Sequence, residues 1–216
     1  MTNNKKNPDK YIWLVRGHKD PRNVRGWCSF ETPEDTERTP KAELSAIRKT
    51  KAGLYLPASQ FPKDNYPLPS DSVGAHLERV PQIFSSGFFF LSGESAEVLQ
   101  KFDMGDGALH STRLWCPDRK SRVPGEFFYL SQGNRKDGFL VELSPDAKPF
   151  GKNRWTLPPI PSDDQLFFSE RVLNGPDIWW DKSIASYFFV SDRLAIALRE
   201  VGHAEDWHLL RCLVVE

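Results

Sequence analysis

Two stretches of the chain share one pattern of apolar and polar positions. The first runs from Phe88 to Phe102 and the second from Tyr187 to Val201, and they align without a gap at an offset of 99 residues. In each stretch an aromatic and aliphatic run, typical of a buried strand, ends at a serine, and apolar residues at helical spacing follow. The two serines, Ser92 and Ser191, are predicted to cap the helices, because a serine oxygen can accept a hydrogen bond from the first helical turn.

A further extended segment follows each predicted helix, at Ala108–Trp115 and at His208–Val215. The pattern therefore predicts a strand–helix–strand unit that is used twice, with Gly202 ending the second helix in a left-handed conformation. Between the copies, Glu126–Leu130 and Phe139–Leu143 are apolar runs separated by a loop that contains Gly, Asn and Lys, which predicts a β-hairpin. These elements indicate an α+β fold in which two strand–helix–strand units and a hairpin build a mixed sheet.

The N-terminal third of the chain is irregular and rich in proline. We expect a first strand over Tyr11–Val15, a helix over Pro40–Lys51 with Pro40 at its first position, and a strand over Gly53–Leu56. The predicted organisation is a disordered leader over residues 1–10, an N-terminal α/β region over residues 11–79 that packs on the main domain, and a main α+β domain over residues 80–216.

The composition predicts a folded chain without the strongly basic character of a nucleic-acid-binding protein. Hydrophobic residues make up 39% of the 216 residues, which is enough to build a core at this length. The formal net charge is zero, with 29 basic and 29 acidic residues, so the chain lacks the basic balance typical of a nucleic-acid-binding protein. We therefore expect no direct binding of nucleic acid.

The cysteines and the hydropathy pattern favour the cytoplasm. Cys28, Cys116 and Cys212 lie far apart and form no CxxC pair, which fits a reducing compartment better than a disulfide framework. The polar N-terminus has no apolar segment of the kind found in secretory signals, and no run of eighteen apolar residues indicates a membrane-spanning helix. A cytoplasmic protein without membrane contact is predicted.

The sequence offers no constellation typical of a cofactor, a metal or covalent catalysis. His203 and His208 are the closest histidine pair, but neither a helix nor a strand places this spacing on one face. Motifs for phosphate loops, dinucleotide folds and nucleophile elbows do not occur. We therefore expect no catalytic residues, no cofactor and no metal, and we interpret Ser92 and Ser191 as helix caps and not as nucleophiles.

The segment Asn174–Asp181 contains two adjacent tryptophans, Trp179 and Trp180, which face opposite sides if the segment is a strand. Either one of them is exposed as an anchor for a partner, or both are covered by the N-terminal arm. Residues 151–216 carry seven Lys and Arg against ten Asp and Glu, so acidic side chains in predicted loops flank this anchor. The predicted partner-binding residues are Asp177, Trp179, Trp180, Asp181, Glu205 and Asp206.

The order of the C-terminal motifs resembles the signature of a bacterial immunity-protein family, family eleven of the polymorphic-toxin immunity proteins. The resemblance rests on Gly175–Asp181, then Phe188–Leu194, then Leu198 and Gly202, and it extends more weakly back to about residue 80. It implies a cytoplasmic antidote that binds and neutralises a cognate toxin protein domain, and it implies no catalytic residues.

Two other functions remain open from the sequence. An enzyme acting on a small molecule or a carbohydrate could use Trp179 and Trp180 as a stacking platform, with nearby carboxylates as acid and base. A nucleic-acid-binding protein could use the basic stretch Lys5–Arg25 together with Trp13 and Trp27.

Overall fold

Two six-stranded sheets carry the fold. The computed structural model describes residues 6–23, 26–29, 41–67, 79–159 and 161–216. In this part of the chain the helices and strands are β1 (Lys6–Val15), β2 (Trp27–Cys28), α1 (Lys41–Lys51), β3 (Asp64–Pro67), β4 (Ile83–Ser86), β5 (Phe88–Ser92), α2 (Gly93–Leu99), β6 (Ala108–Leu114), β7 (Phe127–Ser131), β8 (Arg135–Lys136), β9 (Lys148–Pro149), β10 (Trp155–Thr156), β11 (Phe167–Ser169), β12 (Ile178–Asp181), β13 (Phe188–Ser191), α3 (Asp192–Glu200), α4 (Ala204–Trp207) and β14 (Leu209–Val215).

Both sheets mix parallel and antiparallel pairs, which confirms the predicted α+β class. The first sheet has the strand order β2-β3-β6-β7-β5-β4, and the second has the order β11-β14-β1-β13-β12-β8. Most neighbours are antiparallel, whereas β3 with β6, β11 with β14, and β12 with β8 are parallel. The short strands β9 and β10 pair separately.

The predicted strand–helix–strand unit occurs once in each sheet, as β5-α2-β6 and as β13-α3-β14. The serine oxygens accept the expected capping bonds, Ser92 from the backbone N–H of Ser95 and Ser191 from that of Leu194. Gly202 has φ +80° after the second helix, as expected. In neither unit are the two strands neighbours: β7 lies between β5 and β6, and β1 lies between β13 and β14.

The alternation along the aromatic strands divides the apolar residues among three cores. Phe89 of β5 and Phe188 of β13 point into a central core, in which the two sheets meet together with α2 and α3. Phe88 and Phe90 point to an outer core on the far face of the first sheet, and Phe189 points to an outer core on the far face of the second. Phe89 and Phe188 occupy equivalent positions in the two copies, and their ring centroids lie 5.6 Å apart. The two copies therefore pack against each other through equivalent residues.

The predicted hairpin and the strand over Gly53–Leu56 are wrong. Both edges of β7 are already occupied by β5 and β6, so no edge is left for Phe139–Leu143, whose last three residues form a 3₁₀ turn. Leu56 is buried, but its backbone N–H and carbonyl bond the hydroxyl of Ser131 instead of a neighbouring strand.

The N-terminal organisation also differs from the prediction. The first strand begins at Lys6, five residues earlier than expected, while residues 1–5 of the predicted leader lie outside the described residues. Because β1 is a central strand of the second sheet, the expected boundary between residues 79 and 80 does not divide the sheets. The helix α1 spans Lys41–Lys51 as predicted, and Pro40 lies outside the described residues.

Candidate functional site

Both adjacent tryptophans are buried, so the prediction of an exposed aromatic anchor is wrong. As expected for a strand, they lie on opposite faces: Trp180 packs in the central core and Trp179 in the outer core of the second sheet. Their exposed fractions are 2% and 0%. Trp180 packs against Phe89, with the ring centroids 6.0 Å apart, and the ammonium of Lys136 lies 3.7 Å from the ring centre of Trp179. Neither indole lies on the open surface, so neither can serve as a surface anchor for a partner or as an exposed stacking platform for a sugar.

Asp177 is the centre of a buried hydrogen-bond network and does not lie on a partner surface. One carboxylate oxygen accepts from the Ser191 hydroxyl at 2.5 Å and from Nε of Arg193 at 2.6 Å, while the other accepts from the backbone N–H of Asp103 at 2.9 Å. Burial disfavours the ionised form, but the bonds from Arg193 and Ser191 outweigh it and hold the pKa of Asp177 below its usual value. The carboxylate joins β12, the start of α3 and the chain after α2.

Asp181, at the end of β12, also stabilises the fold and is not exposed to a partner. Its carboxylate accepts hydrogen bonds from the backbone N–H groups of Gly138, Phe139 and Ser183. Burial raises the pKa of Asp181, and these three bonds only partly compensate. The side chain therefore fixes the turn after β8 to β12 and is not available to a partner.

The last two predicted partner residues differ from each other. Asp206 is 4% exposed, and it accepts from the backbone N–H of Gln82 and from Arg79. Glu205 is exposed and forms a surface ion pair with Arg22. Of the six predicted partner residues, Glu205 alone offers its side chain to solvent, so they do not form one binding surface.

The structure also does not support nucleic-acid binding by stacking of bases on Trp13 and Trp27. Trp13 is 7% exposed, its indole N–H donates to Asp192, and the guanidinium of Arg199 covers its ring at 3.7 Å. Trp27 is 6% exposed and belongs to the outer core of the first sheet. Both rings are occupied within the protein and cannot stack on a base.

A serine, a histidine and a glutamate that sequence inspection did not connect meet between the two copies. The Ser95 hydroxyl lies 3.2 Å from Nδ1 of His203, and Nε2 of that ring lies 3.4 Å from the carboxylate of Glu94. The residue types match a hydrolytic triad, but Ser95 has no exposed surface and accepts a hydrogen bond from the indole of Trp207. The cluster ties α2 to α4, and it does not present a nucleophile to a substrate.

A cavity of about 320 Å³ lies beside the 3₁₀ turn Gly17–Lys19 and is a candidate site. Its lining residues come from distant parts of the chain and are His18, Lys19, Lys51, Ser85, Phe89, Trp180 and Ser186. The aromatic rings give it an apolar floor, while the lysines and serines supply polar groups. None of these lining residues is acidic. Sequence inspection missed this cavity because its residues share no motif.

His18 forms the inner wall of the cavity in an unusual environment. Its ring stacks on Phe188 and meets Phe89 edge-on, with centroid distances of 5.1 and 5.0 Å. Burial, reinforced by the positive charge of Lys19, lowers the pKa of His18 to about 3, so the ring is neutral at physiological pH. Its Nε2 faces the carbonyl oxygen of Ser186 at 3.4 Å, whereas Nδ1 has no partner among the described residues.

The cavity lysines repel each other. Partial burial and the charges of Arg16 and Lys51 lower the pKa of Lys19 to about 8, and its ammonium lies 3.4 Å from the ring centre of Tyr187. The nearest acidic neighbour in sequence, Asp20, is engaged by Arg22 at 2.8 Å and by His208 at 3.5 Å. The described part of the cavity thus concentrates positive charge without a carboxylate to balance it.

Models of known protein families give no match to this chain, and a search of curated proteins gives none. Within the described ranges no three His, Cys, Asp or Glu side chains group in a way that could hold a metal ion. No helix of the described part of the chain has the length and apolar character needed to cross a membrane.

Proposed function

We propose that the protein is an immunity protein that binds a cognate bacterial toxin domain and neutralises it by occluding the toxin's active site. The observation that carries the proposal is the order of the C-terminal motifs that resemble immunity family eleven. These motifs are not scattered in space. Gly175–Asp181 and Phe188–Leu194 form β12, β13 and the first turn of α3, and the Asp177 carboxylate joins them.

This arrangement explains why the shared motifs do not mark the binding surface. Asp177, Leu194 and Leu198 are buried, and Gly202 ends a helix. Such residues specify a scaffold, so family members with different toxins would share them while the exposed residues vary. The contacts with a toxin are then expected on exposed side chains outside the motifs.

Large exposed apolar side chains are the natural candidates for these contacts, since aromatic and aliphatic anchors dominate protein interfaces. Tyr55, Phe150 and Ile196 are 50%, 52% and 45% exposed and belong to three different segments of the chain. A cytoplasmic site of action is part of the proposal, and it is supported by the odd number and wide spacing of the three cysteines, which fit a reducing compartment better than a disulfide framework.

The proposal is tested with the toxin domain encoded beside this protein's gene. We expect co-production of the protein to restore growth of cells that make the toxin domain, and we expect the two purified proteins to form a stable complex. The single variants Tyr55→Ala, Phe150→Ala and Ile196→Ala then locate the surface, because an anchor residue typically costs about 2 kcal/mol or more of binding when truncated. If the neighbouring genes encode no toxin domain, or if such a domain neither binds nor is neutralised, the proposal fails.

A further inference from the structure

We propose that the cavity beside His18 binds an oxyanion, the carboxylate or phosphate group of a ligand, between Lys19 and Lys51. The proposal rests on the lining of the cavity and does not depend on the immunity function. The ligand's anionic group would lie at the lysines, and its remaining part would lie against the aromatic floor formed by Phe89 and Trp180.

The first argument is charge balance. Lys19 and Lys51 line the same cavity, and Arg16 adds to the field at Lys19. Both lysines are exposed to solvent, but their like charges still repel each other, and an anion between them removes that repulsion. The other titratable neighbours cannot do so: His18 is neutral, and the Tyr187 hydroxyl has a pKa raised by burial and stays protonated.

The second argument is unused hydrogen-bonding capacity. The Nε2 atom of His18 donates to the carbonyl oxygen of Ser186, which leaves Nδ1 as an acceptor without a partner. The indole N–H of Trp180 is likewise a donor without a partner. These residues are 5% and 2% exposed, and buried polar groups without partners are rare in folded proteins. A protonated oxyanion such as hydrogen phosphate offers both an acceptor and a donor, which are the two kinds of partner that these nitrogens lack.

The third argument is size. A volume of about 320 Å³ lies at the lower end of the range for small-molecule sites, which begins at about 300 Å³. Ser85 and Ser186 line the same space, and a serine hydroxyl can act as a neutral donor. The cavity therefore suits a compact organic anion, or one acidic side chain or chain end of a protein.

Binding can be followed at Trp180 by nuclear magnetic resonance. Its indole N–H resonance is assigned by comparison with Trp180→Phe. Inorganic phosphate, sulfate, citrate and a short peptide with an acidic C-terminus are then titrated separately. We expect at least one of them to shift this resonance in a saturable manner. A response to phosphate or citrate identifies a free small anion as sufficient, whereas a response to the peptide alone identifies a protein carboxylate as the source.

Substitutions separate a built site from general attraction to positive charge. Lys19→Gln and Lys51→Gln should each weaken binding about tenfold, because each removes a charged donor to the anion. Lys120→Gln, at an exposed lysine that does not line the cavity, should leave binding unchanged.

The pH dependence gives a further readout. Sulfate keeps its charge over the range used, so a change in its affinity reports on the protein. Lys19 loses its proton as the pH rises through about 8, and affinity for sulfate should fall over the same interval in the wild type but not in Lys19→Gln. The proposal is overturned if none of the four probes shifts the Trp180 resonance, or if Lys120→Gln weakens binding as much as the cavity variants.

Discussion

Replacing Asp177 by asparagine tests whether this carboxylate holds the fold together. The side chain is 2% exposed and accepts bonds from Ser191, Arg193 and the backbone of Asp103. Asparagine keeps the shape but replaces one acceptor oxygen by an NH₂ group. At least one buried donor then loses its acceptor, which costs about 1–3 kcal/mol.

The ion pair with Arg193 adds little to this loss. The Arg193 side chain is 66% exposed, so it regains water when the charge of its partner disappears, and pairs of this kind contribute about 0–1 kcal/mol. The total expected loss for Asp177→Asn is therefore about 1–4 kcal/mol in the free energy of unfolding, measured by urea denaturation at pH 7. Arg193→Gln should cost less than about 1 kcal/mol, and Asp146→Asn, at an exposed aspartate, should stay within about 0.5 kcal/mol of the wild type.

The pH dependence distinguishes a charge effect from a packing effect. The pKa of Asp177 is lowered in the folded protein, whereas an unfolded aspartate titrates near about 3.9. The ionised carboxylate thus contributes stability above that pH, and the contribution is lost as the pH falls through the lower folded value. The gap between wild type and Asp177→Asn should be largest at neutral pH and should shrink below about pH 4. A gap under about 0.5 kcal/mol at pH 7, or one that does not change with pH, would refute the network described for Asp177.

Three further predictions concern the helix caps and the cavity. Ser92→Ala and Ser191→Ala should each lower the free energy of unfolding by about 1 kcal/mol, measured by urea denaturation. Ser191→Asp should be more destabilising than Ser92→Asp, because it places a second carboxylate against Asp177. Equal effects of the two aspartate variants would contradict the hydrogen bond between Ser191 and Asp177. Lys51→Glu supplies a fixed anion beside the second lysine of the cavity, so it should raise the melting temperature slightly while abolishing anion binding, and retained binding would count against that site. His18 is neutral when folded, with a pKa of about 3, against about 6.5 when unfolded, so wild-type stability should fall with pH below about 6.5 by up to about 1.4 kcal/mol per pH unit. His18→Phe should flatten that slope, and an unchanged slope would place the acid sensitivity in another group.

The features that sequence predicts correctly are local ones. A cap such as Ser92 acts on an N–H three residues later, and the alternation of Phe88, Phe89 and Phe90 acts within one strand. Each is specified by neighbours in the chain, so the repeated pattern is enough to locate both strand–helix–strand units. The hairpin prediction failed because strand pairing is not local: β5 and β6 occupy both edges of β7, which leaves no edge for Phe139–Leu143.

The prediction of the partner-binding residues was wrong for a related reason. Period-two alternation correctly places Trp179 and Trp180 on opposite faces, but it does not tell whether the second face is covered. In the fold Phe168 and Leu166, from an edge of the second sheet, help to build the outer core around Trp179. The sequence alone predicts that a carboxylate such as Asp181 is solvated. It cannot predict the hydrogen bonds that Asp181 accepts from the backbone N–H groups of residues 138 and 139, which are distant in the chain.

The internal repeat extends further than the aligned sequence shows. Strand β7 lies antiparallel between β5 and β6, and β1 lies in the same way between β13 and β14. Leu130 of β7 is opposite Leu109, and Val15 of β1 is opposite Leu209, at equivalent positions of the two units. Both side chains also point into the central core.

The chain segments that follow β1 and β7 also make equivalent close contacts with the backbone. A Cβ atom on Gly17, which follows β1, would come within 1.9 Å of the backbone oxygen of Asp206, and one on Gly133, which follows β7, within 2.8 Å of that of Asp106. Asp106 and Asp206 follow the equivalent helices α2 and α3. Each copy is therefore a three-stranded unit with a helix after its first strand, but the first copy takes its middle strand from the residues that follow it and the second takes its middle strand from the start of the chain. The two copies are related by a circular permutation, and this explains why the gapless internal similarity covers the first strand and the helix of each copy but not β1. It also accounts for the position of the cavity, since His18 follows the permuted strand and is inserted between Phe89 and Phe188, where the two copies meet.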